Sequence, residues 1–454
     1  MNPDTLSRID ADIQWLTKDL GPRPAFSSEA RLAALGVRDR LKEAGWRPEF
    51  IHSPNNLVTC SGKGSVLLLA HTDTVPGSPG TLDNAVAVAT LIEVARSHRG
   101  ADLCIGFPSQ EEIGLLGSTH LAEQIQKWHP NHNQLQLVIS LDLVGHGTLS
   151  VTGLSKNWDD SALHNLLDSN NIYSEYGYQV VSRLLPTMER SDHRPFAQVG
   201  LRSAQLLGRN KHGITPNYHL KNDIVYDPDS VKELLFAIET IVETDWSDTT
   251  TNPIQTSAAL GSFILPWWVI WPLIISAVLL GIRRFYNDGI HVTSALLALV
   301  GSLCIAVIAC LPTLLNFLPI HEQEVAIYQL YGLEPNGWWM GALLVLPIIL
   351  LMGVLIHFKG WLKGNSVGWF GISTLGLSIV DPILALPWAV GTLLSALHPL
   401  LGMVGISYWL QPDILRELTT HGLLLPSMWW LFGILFFPAL LFKTSTNSQP
   451  ASTA

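Results

Sequence analysis

Cysteine is scarce in this chain, with four residues in 454. That number excludes a disulfide-framework fold. Cys60 and Cys104 fall in strand-like stretches and Cys304 and Cys310 in an apolar stretch, so all four read as ordinary buried thiols. No CxxC pair occurs, which argues against a thiolate zinc site. Basic charge is also short. Residues 1–250 hold 21 of the 27 Lys+Arg against 30 of the 37 Asp+Glu, a net of −9. An acidic half of this kind argues against nucleic acid as a partner. Residues 251–454 lack charge of either sign, with only 6 basic and 7 acidic side chains. The amino-terminal segment lacks the apolar core of a signal peptide. It reads instead as an amphipathic helix carrying Leu6, Ile9, Ile13, Leu16 and Leu20, ended by Gly21-Pro22.

What is present divides accordingly. In residues 1–245, short apolar runs at 66–70, 103–107, 137–141, 149–152 and 203–207 read as strands. Helical patterns at 28–44, 83–98, 114–127, 160–168 and 229–244 alternate with them. Alternation predicts an α/β fold, a mostly parallel sheet covered by helices on both faces. Residues 246–260, polar at first, read as a linker. Beyond it, residues 261–443 contain six apolar segments of bilayer-spanning length, at 261–282, 290–320, 338–358, 367–387, 388–410 and 422–442. Trp267-Trp268, Trp338-Trp339 and Trp429-Trp430 sit near segment ends, as interfacial belts would. The predicted second half is therefore an α-helical transmembrane domain, followed by a polar tail at 444–454. Arg283-Arg284, Lys359, Lys363 and Arg416 follow the odd-numbered spans, and the positive-inside rule then sets the first half outside the cytoplasm. The lack of a signal-type leader before that half argues the opposite way.

The chemistry gathers at strand ends. The 66–70 run leads straight into His71-Thr72-Asp73, a loop rich in Pro and Gly, and then Asp83-Asn84. Glu111-Glu112 follow the 103–107 run, Asp142 follows the 137–141 run, and Tyr218-His219 lie near the end of the first half. In an open α/β sheet the carboxyl ends of strands are where ligands bind. Imidazoles and carboxylates without thiolates suit zinc held by nitrogen and oxygen. So many acids in one place would repel one another unless cations neutralised them, and two metals sharing a carboxylate answer that. Each piece alone is ordinary: a Glu-Glu pair is usually a solvated turn.

Five ordered blocks change the balance. They are the His-x-Asp loop, Glu111-Glu112-x-Gly-Leu-x-Gly-Ser118, Ser140-Leu-Asp-Leu-Val-Gly145, Ser191-Asp-His-Arg-Pro-Phe196, and Tyr218-His219. Together they resemble the co-catalytic zinc aminopeptidases, zinc exopeptidases related to glutamate carboxypeptidase and the transferrin receptor ectodomain. The resemblance implies two zinc ions bridged by Asp83, with His71 and Asp142 completing one site and Glu112 and His219 the other. It implies Glu111 as general base, Asp73 orienting His71, and Tyr218 donating to the oxyanion. Leu82, Val86-Ala87 and Lys221 depart from the family pattern and leave substrate preference open. The expected protein is a membrane-anchored zinc peptidase, an aminopeptidase acting on short peptides, with a peptide substrate and the lipid bilayer as partners. Two rivals stand beside it: a glutaminyl cyclase-like enzyme with one zinc, and a non-catalytic binding or transport protein on the same fold.

Overall fold

The computed structural model describes residues 3–52, 55–155, 158, 160–168, 172–174, 191–209, 217–247, 258–260 and 263–288, together with Thr374, Leu375, Ser378, Ala389 and Leu393. Five of the six expected spans, with Asp381 and the polar tail, lie outside these residues apart from the five isolated positions. The chain divides into two compact units at Trp267/Trp268.

The first unit is built on one sheet. Its strands are β1 (Glu49–Phe50), β2 (Leu57–Cys60), β3 (Val66–Leu69), β4 (Leu103–Phe107), β5 (Leu137–Leu141), β6 (Thr148–Thr152), β7 (Tyr173–Ser174) and β8 (Ser203–Arg209). Their order is β1-β2-β4-β3-β5-β8-β6-β7. The central four, β4, β3, β5 and β8, are parallel. β3, β4 and β5 are buried at every residue, as strands covered on both faces must be. The expected mostly parallel sheet is in fact mixed, because β2 runs antiparallel to β4 and β6 antiparallel to β8. Apolar runs specify burial but not direction, so this was not legible in the sequence.

Helices cover the sheet. Those that position the site are α1 (Pro3–Gln14), α2 (Ser28–Glu43), α3 (Val86–Ser97), α4 (Leu116–Glu123), α5 (Ile125–Trp128), α6 (Asp160–Asp168), α7 (His193–Gln198) and α8 (Pro228–Glu243). Sequence chemistry explains their limits. Ser27 caps α2 by accepting the Ala30 N–H at 3.0 Å. Gly45, at φ 85°, lies just past its end, where a side chain would be strained. The α2 stripe Ala30, Ala33, Ala34, Val37 and Leu41 is buried at helical spacing. α8 opens on Pro228 with Asp227 as its cap. α3 lies innermost, with Val86 through Ala95 all buried. One core joins α1, α2, α3, α6 and α8 to that face of the sheet. A second, smaller core packs Leu121, Ala122, Ile125 and Phe196 on Val58, Leu67, Leu69 and Val138.

Two expectations need correction here. Cys60 and Cys104 are not free thiols: they form a disulfide, and they stand directly opposite one another in the β2/β4 register. The antiparallel pairing of β2 with β4, invisible in the sequence, is what brings them together. At the other end, strand Ala258–Leu260 lies inside the expected linker and strand Phe263–Leu265 inside the first expected span. They pair as an antiparallel hairpin, which apolar length alone does not distinguish from the start of a helix. The helix itself, α9, runs Trp267–Asp288, with Pro272 inside it. Among the described residues, no helix is long and apolar enough to cross a membrane.

Candidate metal centre

β3 sits between β4 and β5, so the chain switches sides of β3 after β4. That is the topological switch point at which open α/β sheets place their ligands. His71 and Asp73 follow β3, Glu111 and Glu112 follow β4, and Asp142 follows β5. Asp83 comes from the turn Thr81–Ala85 ahead of α3, where its own backbone is non-helical. The expected helix start at residue 83 is therefore moved to Val86. His219 comes from a short turn before α8, with its backbone at φ 59°. A non-glycine residue in that left-handed region carries strain, which is common at functional sites.

The seven side chains meet unevenly. His71 Nε2 lies 3.3 Å from Asp83 Oδ1 and 3.5 Å from Asp142 Oδ1. His219 Nε2 lies 3.2 Å from Asp83 Oδ2 and 3.1 Å from Glu112 Oε2. The two oxygens of Asp83 thus face different imidazoles. His71, Asp83 and Asp142 form one donor cluster, and Asp83, Glu112 and His219 another, each with its ligand atoms within 4.8 Å of one another. Glu111 joins a third cluster with His71 and Glu112. His71 Nε2, Glu112 Oε1 and Asp142 Oδ1 are buried without a hydrogen-bond partner. Buried polar atoms of native proteins are normally satisfied. A nitrogen/oxygen donor set with orphaned atoms aimed inward fits metal ions, and the sharing of Asp83 fits two.

Electrostatics say the same of the metal-free chain. Burial pulls the His219 pKa down, but its contacts with Asp83 and Glu112 outweigh that and leave it at about 10. His71 is likewise raised, against burial, by Glu111, Asp142 and Asp83. Burial raises Asp83, yet the two imidazoles reverse this and hold it well below the usual carboxylate range. Burial lifts Glu112 to about 7, with Asp83 adding to the rise. Glu111 is raised by burial, and by Glu112, Asp142 and Asp192, against the opposing pull of His71. Protons on the two imidazoles serve as the counter-charges that cations would otherwise provide.

Asp73 differs in detail from its expected role. His71 Nδ1 lies 3.1 Å from the Asp73 backbone carbonyl and 3.8 Å from its carboxylate. The carboxylate instead accepts the backbone N–H groups of Glu111 at 3.2 Å and Glu112 at 3.3 Å. The Tyr218 ring stacks on His219, with centroids 3.7 Å apart, and is 43% exposed. Asp192 and His193 are buried at the start of α7.

Sequence reasoning missed several residues that support the cluster. The Asn84 amide donates to the Leu141 carbonyl at 2.7 Å, tying the Asp83 turn to the end of β5. Gln205 donates to Asp142 at 3.3 Å. Arg23 is fully buried, and its guanidinium donates to the carbonyls of Leu16, Gly21, Thr72 and Pro79. Burial lowers its pKa to about 10, while Asp73, Asp83, Asp223 and Glu112 oppose the fall. Its signal in the sequence is only a basic residue between two prolines, Pro22 and Pro24.

Residues 55–241 match the model of peptidase family M28. That segment is similar to the M28 peptidases. Aminopeptidase YwaD of Bacillus subtilis (strain 168) is 29% identical over 167 residues, covering 35% of this chain and 36% of its own. The vacuolar membrane protease of Candida albicans (strain WO-1) is 23% identical over 268 residues, covering 54% of this chain and 31% of its own. The chain therefore spans about a third of the length of each of these two relatives. Among solved structures, LapB from Legionella pneumophila superposes with a TM-score of 0.42 at 20% identity, over 53% of this chain and 72% of that one. A Bacteroides thetaiotaomicron glutaminyl cyclase gives 0.42 at 16% identity, over 53% and 97%.

Proposed function

We propose that the M28-type domain is a di-zinc exopeptidase, an aminopeptidase on short peptides, held at a membrane by the apolar segments that follow it. The observation that carries the di-zinc reading is Asp83, whose two oxygens face separate imidazoles, each of which also lies against a further carboxylate. His71, Asp83 and Asp142 would hold one ion and Asp83, Glu112 and His219 the other. Zinc, when bound, supplies Lewis acidity that polarises the peptide carbonyl and acidifies water at the site. Glu111 takes the proton from the attacking water and delivers it to the departing amine, a task suited to a carboxylate whose pKa is raised by burial. Asp73 keeps Glu111 and Glu112 in one turn through their backbone N–H groups, so that the two side chains divide between water and metal. Tyr218, stacked on His219, offers its hydroxyl to the oxygen of the tetrahedral species.

Membrane attachment is supported by the six apolar segments and by an exposed apolar stripe on α9: Trp268, Ile275, Leu279, Ile282 and Tyr286. A position outside the cytoplasm is supported by the basic residues after odd-numbered spans and by the Cys60–Cys104 disulfide, since such bonds persist in oxidising compartments.

The deciding experiment uses the full chain in detergent, loaded with zinc. It should release the first residue from short unblocked peptides and leave amino-blocked ones intact, while Glu111→Gln lowers kcat by about 100-fold or more with zinc retained. Hydrolysis of blocked peptides only would overturn the aminopeptidase assignment. One zinc per chain with cyclisation of amino-terminal glutamine would favour the cyclase-like reading. No turnover, with Glu111→Gln indistinguishable from the parent, would sink the enzyme reading.

A further inference from the structure

We infer that Asn56 is a positioning residue for the turn that carries Glu111 and Glu112. The inference rests on the proposed roles of those two acids.

Asn56 is fully buried, one residue ahead of β2. Its Oδ1 accepts both the backbone N–H of Ser109, at 2.9 Å, and the Ser109 hydroxyl, at 3.1 Å. Its Nδ2 donates to the Gly117 carbonyl at 3.0 Å. Ser109 and Gly117 bracket the Glu111-Glu112 pair in sequence. One carboxamide therefore fastens the entry and the exit of the loop, as acceptor at one end and donor at the other. A carboxamide offers donor and acceptor on separate atoms of one short, uncharged side chain.

The loop needs such a fastening. Gln110 at φ 64° and Leu115 at φ 61° are both in the left-handed region, and Gly114 stands at φ 113°. Residues other than glycine hold that region only where surrounding contacts impose it. Within the loop, the N–H groups of Gly114 and Leu115 both reach the Glu111 carbonyl at 2.9 Å, which closes a tight turn directly behind the base. Asp73 grips the middle of the turn and Asn56 its two ends.

Gly117 shows how closely the ends approach. A Cβ there would lie 2.1 Å from the Ser109 carbonyl oxygen, 2.4 Å from Asn56 Oδ1 and 2.6 Å from the Ser109 nitrogen. Two of the three atoms are backbone, so they cannot swing aside. The glycine is what lets α4 start against Ser109, within reach of the Asn56 amide. The clamp also has a fixed base, because Leu57 pairs with Phe107 and the disulfide joins Cys60 to Cys104 in the same register.

Loss of the clamp frees the two carboxylates from the geometry that sets Glu112 Oε2 3.1 Å from His219 Nε2. A misplaced base lowers turnover more than substrate binding. The test compares Asn56→Ala, Asn56→Asp and Gly117→Ala in the full chain, with Glu111→Gln as reference. Two quantities are read. One is kcat and KM of zinc-loaded protein, with the pH profile of kcat. The other is zinc affinity by chelator competition in a His71→Ala background, where Glu112, His219 and Asp83 remain as a donor set. Asn56→Ala and Gly117→Ala should each lower kcat at least tenfold with KM within twofold, or weaken zinc at least tenfold in that background. Asn56→Asp, which keeps the acceptor for Ser109, should recover part of the loss. If both variants fold, and both kcat and zinc affinity stay within twofold of the parent, Asn56 does not position the turn. If Asn56→Ala does not fold, Gly117→Ala and Asn56→Asp decide by the same criteria. If the parent cleaves no peptide, the proposed function fails by itself and the zinc affinity alone decides the role of Asn56.

Discussion

The carboxylate of Asp223 accepts the backbone N–H of Asp83, at 3.3 Å, across 140 residues of sequence, and that of Leu82 at 3.0 Å. The Thr81 N–H reaches the Asp223 carbonyl at 3.2 Å. The turn that presents Asp83 is thus held by an acid outside the donor clusters of the described residues. Removing such support typically weakens metal binding by about 10–100-fold. Asp223→Ala is expected to fall in that range by chelator competition, and Asp223→Asn, which keeps one acceptor oxygen, to fall less. Unchanged affinity in Asp223→Ala would mean the turn holds itself.

Metal stoichiometry should follow the division of donors. Asp83→Ala removes the donor common to two of the clusters and is expected to leave fewer than one zinc per chain. His71→Ala and His219→Ala each remove a donor from just one of the two clusters that have Asp83 in common, so each should leave about one, because loss of one donor weakens one set. Elemental analysis of the full chain checks this. Equal, complete loss in all three variants would indicate a single coupled site.

The disulfide should be measurable directly. Cys60 and Cys104 close a loop of sequence separation 44, and bridges of that kind contribute about 2–4 kcal/mol. Thiol labelling of the native chain should miss both residues until a reductant is added. Denaturant unfolding of the first unit should shift to lower midpoint in Cys60→Ser/Cys104→Ser by that order of free energy. Ready labelling without reductant would show the bond to be absent in solution.

His146 gives a pH signature outside the donor clusters. It is buried, and burial lowers its pKa to about 4 against a weaker opposing hydrogen bond with the Leu143 backbone. An unfolded histidine titrates near 6.5, so between about pH 6.5 and 4 the unfolded chain binds the extra proton. Stability from this residue is complete above about pH 6.5 and is lost as pH falls through about 4. Metal-free His146→Gln should show a shallower fall in melting temperature over that interval than the metal-free parent. Identical slopes would remove His146 as the cause.

The site was legible where its parts obey local rules. His71, Glu111, Glu112 and Asp142 follow apolar runs that could only be buried strands or helix cores, and the turns after them carry Gly and Pro. Ordered blocks then tied His219 to the rest. What stayed hidden are residues whose partners are backbone atoms far away in sequence. Asn56 reaches Gly117 and Arg23 reaches Pro79. Nothing in a local pattern marks such contacts, because the sequence period reports burial and not the direction of a side chain's polar end. The bond between Cys60 and Cys104 was hidden for a related reason: it depends on which strand neighbours which, and apolar runs leave strand order open. The 258–265 hairpin was concealed by apolar composition that reads equally as the approach to a span.

Arg23 has a consequence for the order of assembly. Its guanidinium ties the loop after β3, through Thr72 and Pro79, to the end of the first helical segment, through Leu16 and Gly21. The polypeptide thus carries an interior cation of its own beside the acids, permanently charged and present from synthesis. These contacts need no ion, so the pocket is expected to hold its shape without one. The zinc-free chain should keep a cooperative unfolding transition, and zinc should arrive last. Metal supply would then govern when the protein becomes active, while its maturation and traffic proceed independently.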